Sequence, residues 1–257
     1  TKYNTNIEKS YMNNNIATKY NNNFGLGGNI YTKSIDINLL NNTIQENNAE
    51  EEGGVLYANY AHTGNNININ NNIVYNNYAK NGGVISLQKG TIVTSQNTFR
   101  NNNAINGGIF NKHIADNNNL IIQSYKNTYN DNYVTGNGAI SYVRDNYFIF
   151  NITNDRINRN NGDSIFFSDT QNSIYNIKNA DFIENNANIY GILYINGNNN
   201  INVNNNFFQQ NIGNTGSIAY INGGNANIIN NILNKNTNRY GSIYSTQNSI
   251  NLYNNTF

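Results

Sequence analysis

Cysteine, proline and tryptophan are absent from the 257 residues. Without cysteine there can be neither a disulfide framework nor a thiolate metal site, and cysteine usage carries no compartment signal. Without proline, no backbone N–H is deleted anywhere, which suits strands paired on both edges. Charge is sparse as well. Only 11% of residues are Asp, Glu, Lys or Arg and the net charge is +1, so no electrostatic footprint for nucleic acid or an anionic membrane exists. No apolar run approaches the ~18 residues of a transmembrane helix, so no membrane insertion is expected. Neither a signal peptide nor an initiator Met opens the chain, which is the expectation for a piece of a longer protein.

What fills the chain is asparagine, at 71 of 257 positions. An AT-rich codon bias would raise lysine too, and lysine is scarce, so the excess has a structural origin. These asparagines also hold fixed places between apolar residues, unlike those of a disordered, prion-like tract. The stretch NNTIQENNAEEEGGVLY (41–57) returns as NNIVYNNYAKNGGVIS, NTFRNNNAINGGIF, NTYNDNYVTGNGAIS, ADFIENNANIYGILY, NFFQQNIGNTGSIAY and NILNKNTNRYGSIY. With Ile44 as position zero, its equivalents are Val74, Phe99, Tyr129, Ile157, Phe182, Phe208, Leu233 and Phe257. Three residues on stand Asn47, Asn77, Asn102, Asn132, Asn160, Asn185, Asn211 and Asn236, without exception. Two residues before zero come Asn42, Asn72, Asn97, Asn127, Asp155, Ala180, Asn206, Asn231 and Asn255. A glycine step then follows, as Gly53-Gly54, Gly82-Gly83, Gly107-Gly108, Asn137-Gly138, Tyr190-Gly191, Gly216-Ser217 and Gly241-Ser242.

Alternating apolar residues predict short strands, and the Gly and Asn clusters between them predict turns. No segment sustains a 3.6-residue apolar period with caps, so helix should be minimal. Each repeat of 25–30 residues offers three short strands, one coil of a parallel β-helix. The expected fold is all-β, about nine coils in one domain over 1–257, irregular over 1–36 and regular over 37–257. Coils stack ~4.8 Å apart. At that spacing identical amides can hydrogen-bond along a column, and asparagine also tolerates the left-handed backbone of a sharp turn. The segment INRNNGDSIFFS (157–168) loses its glycine pair and predicts an irregular coil. No capping helix is evident, a second reason to expect a longer parent protein.

The pattern F-x-x-N-x-A followed by G-G-[AVI]-[ILV] resembles the repeat of chlamydial polymorphic outer-membrane proteins, with TFRNNNAINGGIF (98–110) the nearest match. Similar repeats run through large adhesin-like proteins of methanogenic archaea, ciliates and anaerobic gut fungi. The resemblance covers residues 37–257. It implies a right-handed parallel β-helix in an extracellular or cell-surface protein, and it implies no single activity, because the repeat describes scaffold residues.

Parallel β-helices include polysaccharide lyases and glycosidases, whose chemistry needs two carboxylates across a cleft or clustered acids with a basic partner. The acids here are thinly spread. Asp131, Arg159 and Glu184 fall at one repeat position on successive coils and predict an exposed salt-bridge column. Asp155 and Asp181 stand one position out of register and predict a solvated edge. The run Glu50-Glu51-Glu52 predicts a hydrated turn. His62 and His113 lack ligand-spaced partners and predict exposed loop residues, so no metal is expected. The GLGG at 25–28 lacks the strand–helix context of a phosphate loop, and no cofactor motif is present. Sequons at Asn41, Asn151 and Asn254 are consistent with secretion. The expectation is therefore a chain that is not an enzyme.

The strand after each glycine step reads VLY, VIS, IFN, AIS, ILY, IAY and IYS, with two consecutive apolar residues. Strand neighbours point to opposite faces. Either the step turns both residues inward, or one apolar column faces a partner. On the second reading Ile192, Tyr194, Ile218, Tyr220 and Ile243 form a binding plaque on the late coils. The partner expected is another protein or further copies of this chain, with a glycan also compatible with the tyrosines. Four functions follow from these readings: a scaffold or adhesin-type module, a cohesin-like module docking enzymes into a secreted complex, a self-assembling fibre protein, and a polysaccharide lyase or glycosidase. The first is the expectation carried forward.

Overall fold

A computed structural model describes residues 3–19, 24–33, 35–59, 65–112, 119–144 and 146–257. Among these residues there is no helix, and the chain winds through short strands that assemble into four parallel sheets of ten, nine, eight and nine strands. The second coil shows the plan. Its strands Ile35–Leu40, Thr43–Gln45, Asn48–Glu52 and Leu56–Asn59 lie in the first, second, third and fourth sheets. Each pairs in register with its equivalents in neighbouring coils, as Val74 does with Ile44 and Phe99. The chain is a parallel β-helix. Eight coils carry all four strands; in the ninth the third strand shrinks to a bridge between Ile212 and Thr237, and Ser249–Tyr253 begins a tenth. The coil therefore has four strands rather than three. The additional one follows the invariant asparagine and shrinks to two residues in later coils, such as Asn186–Ala187, too short to show alternation in sequence.

The interior follows from the period-two rule. In the first sheet Ile37 and Leu39, Ile67 and Ile69, and Ile201 and Val203 point inward and are buried. Position zero forms the inward column of the second sheet, where large residues stack ring on ring: Phe99 on Tyr129 at 5.1 Å and Phe182 on Phe208 at 4.6 Å. The inward positions of the third sheet are smaller: Ala49, Ala79, Ala104 and Ala187, with Val134 the largest. The rings of the second sheet meet rings of the fourth edge-on, Phe99 against Phe110 at 6.1 Å and Phe182 against Phe166 at 6.3 Å, while the smaller third-sheet residues keep the cross-section narrow.

Two corners are built alike. At each, one residue adopts a left-handed backbone and the next is the buried column residue. Asn41, Asn71, Gln96 and Lys126 (φ 54–56°) precede Asn42, Asn72, Asn97 and Asn127, while Glu46, Asn76 and Asn101 (φ 52–56°) precede Asn47, Asn77 and Asn102. Where two asparagines follow one another in a column, the Oδ1 of the second accepts twice from the preceding coil. Asn102 Oδ1 accepts the Asn77 backbone N–H at 3.1 Å and the Asn77 Nδ2 at 2.9 Å, and Asn102 Nδ2 in turn donates to Asn132 Oδ1 and to Val74 O. The side chain thereby satisfies backbone groups that a sharp corner would strand.

The second-corner column runs unbroken from Asn15 to Asn236. The first-corner column breaks once. Asp155 accepts the Asn127 N–H at 2.7 Å but has no amide to donate, and the next member, Ala180, has no oxygen to accept. The missing side-chain donor of Asp155 faces the missing acceptor of Ala180, so the gap strands no side-chain amide, although the Asp155 backbone N–H loses the oxygen that the column supplies to its equivalents. Below it, Ala180 N–H donates to Asn206 Oδ1 at 2.9 Å and the ladder resumes.

Replacing Asn102 by Ala removes the acceptor for two Asn77 donors. Each orphaned buried group costs roughly 1–3 kcal/mol, so urea unfolding should show a loss of about 3 kcal/mol. Asn101→Gly, at the exposed left-handed neighbour, should change stability by less than about 1 kcal/mol.

Candidate functional site

The glycine step shapes the outer surface where the third sheet meets the fourth. Gly53 has φ +67°, and a Cβ on Gly54 would lie 2.2 Å from Gly83 O, so the first glycine supplies the conformation and the second the close approach of coils. The following residues both turn inward: Val55 and Leu56, Ile192 and Leu193, and Ile218 and Ala219 are all buried. The proposed plaque is thus corrected in part. Ile192 and Ile218 are core residues, 0% and 1% exposed, because each lies in the corner before its strand begins, where alternation does not yet apply. Ile243 takes the inward register opposite Ala219 and is half-buried in the last complete winding. Tyr194 and Tyr220 do face outward. At INRNNGDSIFFS the step Asp163-Ser164 contains no left-handed residue, and the later steps Tyr190-Gly191 and Gly216-Ser217 share that departure, yet the strand pairing keeps register through Phe166.

Tyr194 and Tyr220 belong to a longer column that sequence reading left unassembled. Tyr142, Phe167, Tyr194, Tyr220 and Tyr244 occupy one outward register of the fourth sheet. Their centroids are 4.9, 4.6, 5.1 and 5.3 Å apart, with ring planes within 18° of parallel. The rings spend their flat faces on one another and present edges to solvent. Beside them runs a polar rail. Arg144 lies 3.7 Å from Asp169, Asn196 Nδ2 donates to Asp169 at 2.8 Å, Asn222 Nδ2 to Asn196 at 2.7 Å, and Thr246 Oγ1 to Asn222 at 2.7 Å.

Toward the first coils the same outward column reads Tyr31, Tyr57, Ser86 and Asn111. Here the surface opens into a groove of about 710 Å³. Tyr31 stacks on Tyr57 at 5.6 Å, and Ser86 Oγ donates to Glu52 at 2.6 Å across the step. The acidic run is not a hydrated turn: Glu50, Glu51 and Glu52 close the third-sheet strand Asn48–Glu52, whose inward-pointing Ala49 fixes the register. Glu51 is held between Lys19 and Lys80, which draw its carboxyl below the usual range. Tyr57 is pushed up to about 12 by burial and then by the neighbouring Glu52.

The remaining candidates fall as follows. Asp131, Arg159 and Glu184 all occupy left-handed corner positions, and Arg159 binds Asp131 through two bonds of 2.8 and 2.9 Å, with Glu184 adding to the field that raises Arg159. The exposed column is present. His62 and His113 lie outside the described residues. Among the described residues no three His, Cys, Asp or Glu side chains group to hold a metal, and no helix is long and apolar enough to cross a membrane. Of the sequons, Asn41 and Asn254 are exposed at corners, whereas Asn151 accepts from Asn176 at 2.9 Å within an amide row on the first sheet. No protein family, no curated protein and no solved structure matches this chain.

Asp155 also departs from expectation. It is not on a solvated edge but 1% exposed within the first-corner column, while Asp181 lies in the second sheet opposite Arg156 and is half-buried. Ser124 Oγ donates to Asp155 Oδ2, Ser124 also meets the Tyr129 hydroxyl at 2.8 Å, and Asn127 Nδ2 donates to Ser124 Oγ at 3.0 Å. Burial raises the Asp155 carboxyl to about 7, and burial together with the Asp155 charge drives the Tyr129 phenol well up. The native state then holds a proton that the unfolded chain, with an ordinary value of 3.8, releases. Stability contributed by this proton is complete below pH ~4 and is lost progressively as pH rises through ~7. Thermal melts should show a falling midpoint across that window, on the order of a few kcal/mol in total, and Asp155→Asn should flatten it.

Proposed function

We propose that this chain is a non-catalytic module of an extracellular or cell-surface protein, a rigid scaffold of adhesin type that holds a partner protein along its side. The observation that carries this reading is the pair of buried asparagine columns tying each coil to the next. A solenoid is stable through nearest-neighbour contacts, and columns of this kind make it stiff along its axis while leaving its flanks as surface. The resemblance to chlamydial-type surface repeats points the same way. So does the state of the acids. A glycosidase needs an accessible general acid with a raised pKa and a second carboxylate across the cleft. Glu51 is lowered, Asp155 is raised but sealed inside, and half-buried Asp163 is raised by burial alone, with no second carboxylate contributing. The contact face we favour is the fourth sheet over its late coils, where an aromatic edge and a polar rail run side by side over five strands.

The test is capture from the parent organism's secreted proteins with the wild-type chain beside Tyr194→Asp/Tyr220→Asp, which leaves buried Ile192 intact. The expected result is a discrete partner lost in the double variant while its melting midpoint is retained. Capture of the chain by itself alone, with growing particle size in light scattering, would replace this reading with a self-assembling fibre.

A further inference from the structure

The two ends of the fourth sheet's outward column differ in a way that assigns them different ligands. In the late coils every inner ring of the stack is covered on both faces. At the other end Tyr31 is the first ring, Tyr57 covers one face, and the residue remains 46% exposed at the mouth of the 710 Å³ groove. That volume lies in the roughly 300–1,000 Å³ range of small-ligand sites. Phe24, 67% exposed, and Leu26 extend the apolar wall. Facing it are the carboxylates at the end of the third sheet and the amides of Asn81, Asn59 and Gln88, the last donating to the Tyr57 hydroxyl at 3.3 Å.

Charge decides the class of ligand. Glu51 already lies between the Lys19 and Lys80 ammonium groups, Glu50 accepts the Lys19 N–H at 2.7 Å, and Glu52 accepts from Ser86. A cation would have to displace those lysines, and an anion would meet the Glu51 and Glu52 carboxylates that line the groove, with Lys80 already engaged by Glu51. A neutral ligand meets neither cost. It must offer an apolar face to the exposed ring and, on its rim, groups that both donate to carboxylate oxygens and accept from amide N–H. The pyranose ring of a sugar combines these two properties. Lys33, whose Nζ lies 5.7 Å from the Tyr31 centroid, is a flexible side chain able to swing to a ligand oxygen.

We propose that this groove binds a short segment of a neutral oligosaccharide, with Tyr31 as the stacking platform and Glu52, Asn81 and Gln88 reading its hydroxyls. This site is separate from the late-coil face and stands or falls without it. The test is calorimetric titration of the full chain with cellohexaose, xylohexaose and mannohexaose, beside a charged oligogalacturonate. Wild type, Tyr31→Ala and Gln88→Ala are compared with Tyr240→Ala, a 61% exposed tyrosine on the late coils. Saturable binding of at least one neutral oligosaccharide is expected, weakened about tenfold or more, ~1.4 kcal/mol, by Tyr31→Ala. Gln88→Ala should weaken it too, and Tyr240→Ala should leave it unchanged. Absence of saturable binding up to about 10 mM, preference for the charged oligomer, or equal affinity in a folded Tyr31→Ala variant would overturn the assignment.

Discussion

Everything in this molecule depends on one side chain reaching one coil back. At two corners per turn the backbone bends through a left-handed residue, and the N–H that follows has no strand partner directly across from it. The asparagine of the next coil supplies one: Asn72 Oδ1 takes the Asn42 N–H and the Asn42 amide together, at 2.8 and 3.0 Å. Aspartate offers only acceptors. Serine, which at Ser173 does accept the Phe148 N–H of the coil before at 2.9 Å, has no amide to satisfy a backbone carbonyl and extend the ladder together. Glutamine would carry an extra methylene into a column whose repeat is set by strand spacing at ~4.8 Å. The abundance of asparagine is a geometric requirement, and the absence of proline is its counterpart on the strands.

A repeat so constrained was largely legible. Position zero, the invariant asparagines and the glycine step recur at fixed offsets, so the columns could be assigned by counting. What escaped counting was direction and length. The strand Asn186–Ala187 is too short to show any period. Ile192 and Ile218 look like strand residues in the linear chain, but the step places them in the corner. Asp155 is the instructive miss. It occupies the offset that buried Asn42 and Asn127, and the same rule applied to it would have put its carboxyl inside. Its chemistry, an acid where burial disfavours charge, suggested the surface; its position in the repeat was the stronger signal.

The aromatic column was half visible for a related reason. Tyr194 and Tyr220 follow regular steps and stood out, whereas Tyr142 and Phe167 flank the coil whose glycine pair is lost, so their equivalence had to await strand register. The groove at the other end gave no linear sign at all. It draws on three successive coils, and its lining residues share no motif.

Tolerance to change is also unequal around the coil. Successive members of the second-corner column are 30, 25, 30, 28 and 25 residues apart. The first, second and third strands nonetheless keep their offsets from the asparagines. The difference is absorbed in two places. One is the glycine step, where Ser141 follows Asn132 by nine residues but Phe166 follows Asn160 by six. The other lies between the fourth sheet and the next first-sheet strand, two residues from Leu87 to Gly90 but three from Asn196 to Asn200. An insertion at either asparagine corner would carry an amide out of its column and orphan the donors of the coil before it, whereas one at the third junction breaks no buried amide bond of those columns. Surface features able to vary from coil to coil therefore belong on the fourth sheet and its outgoing edge. There the open ring of Tyr31 at one end and the closed stack of Tyr194 at the other give a uniform scaffold two chemically different surfaces.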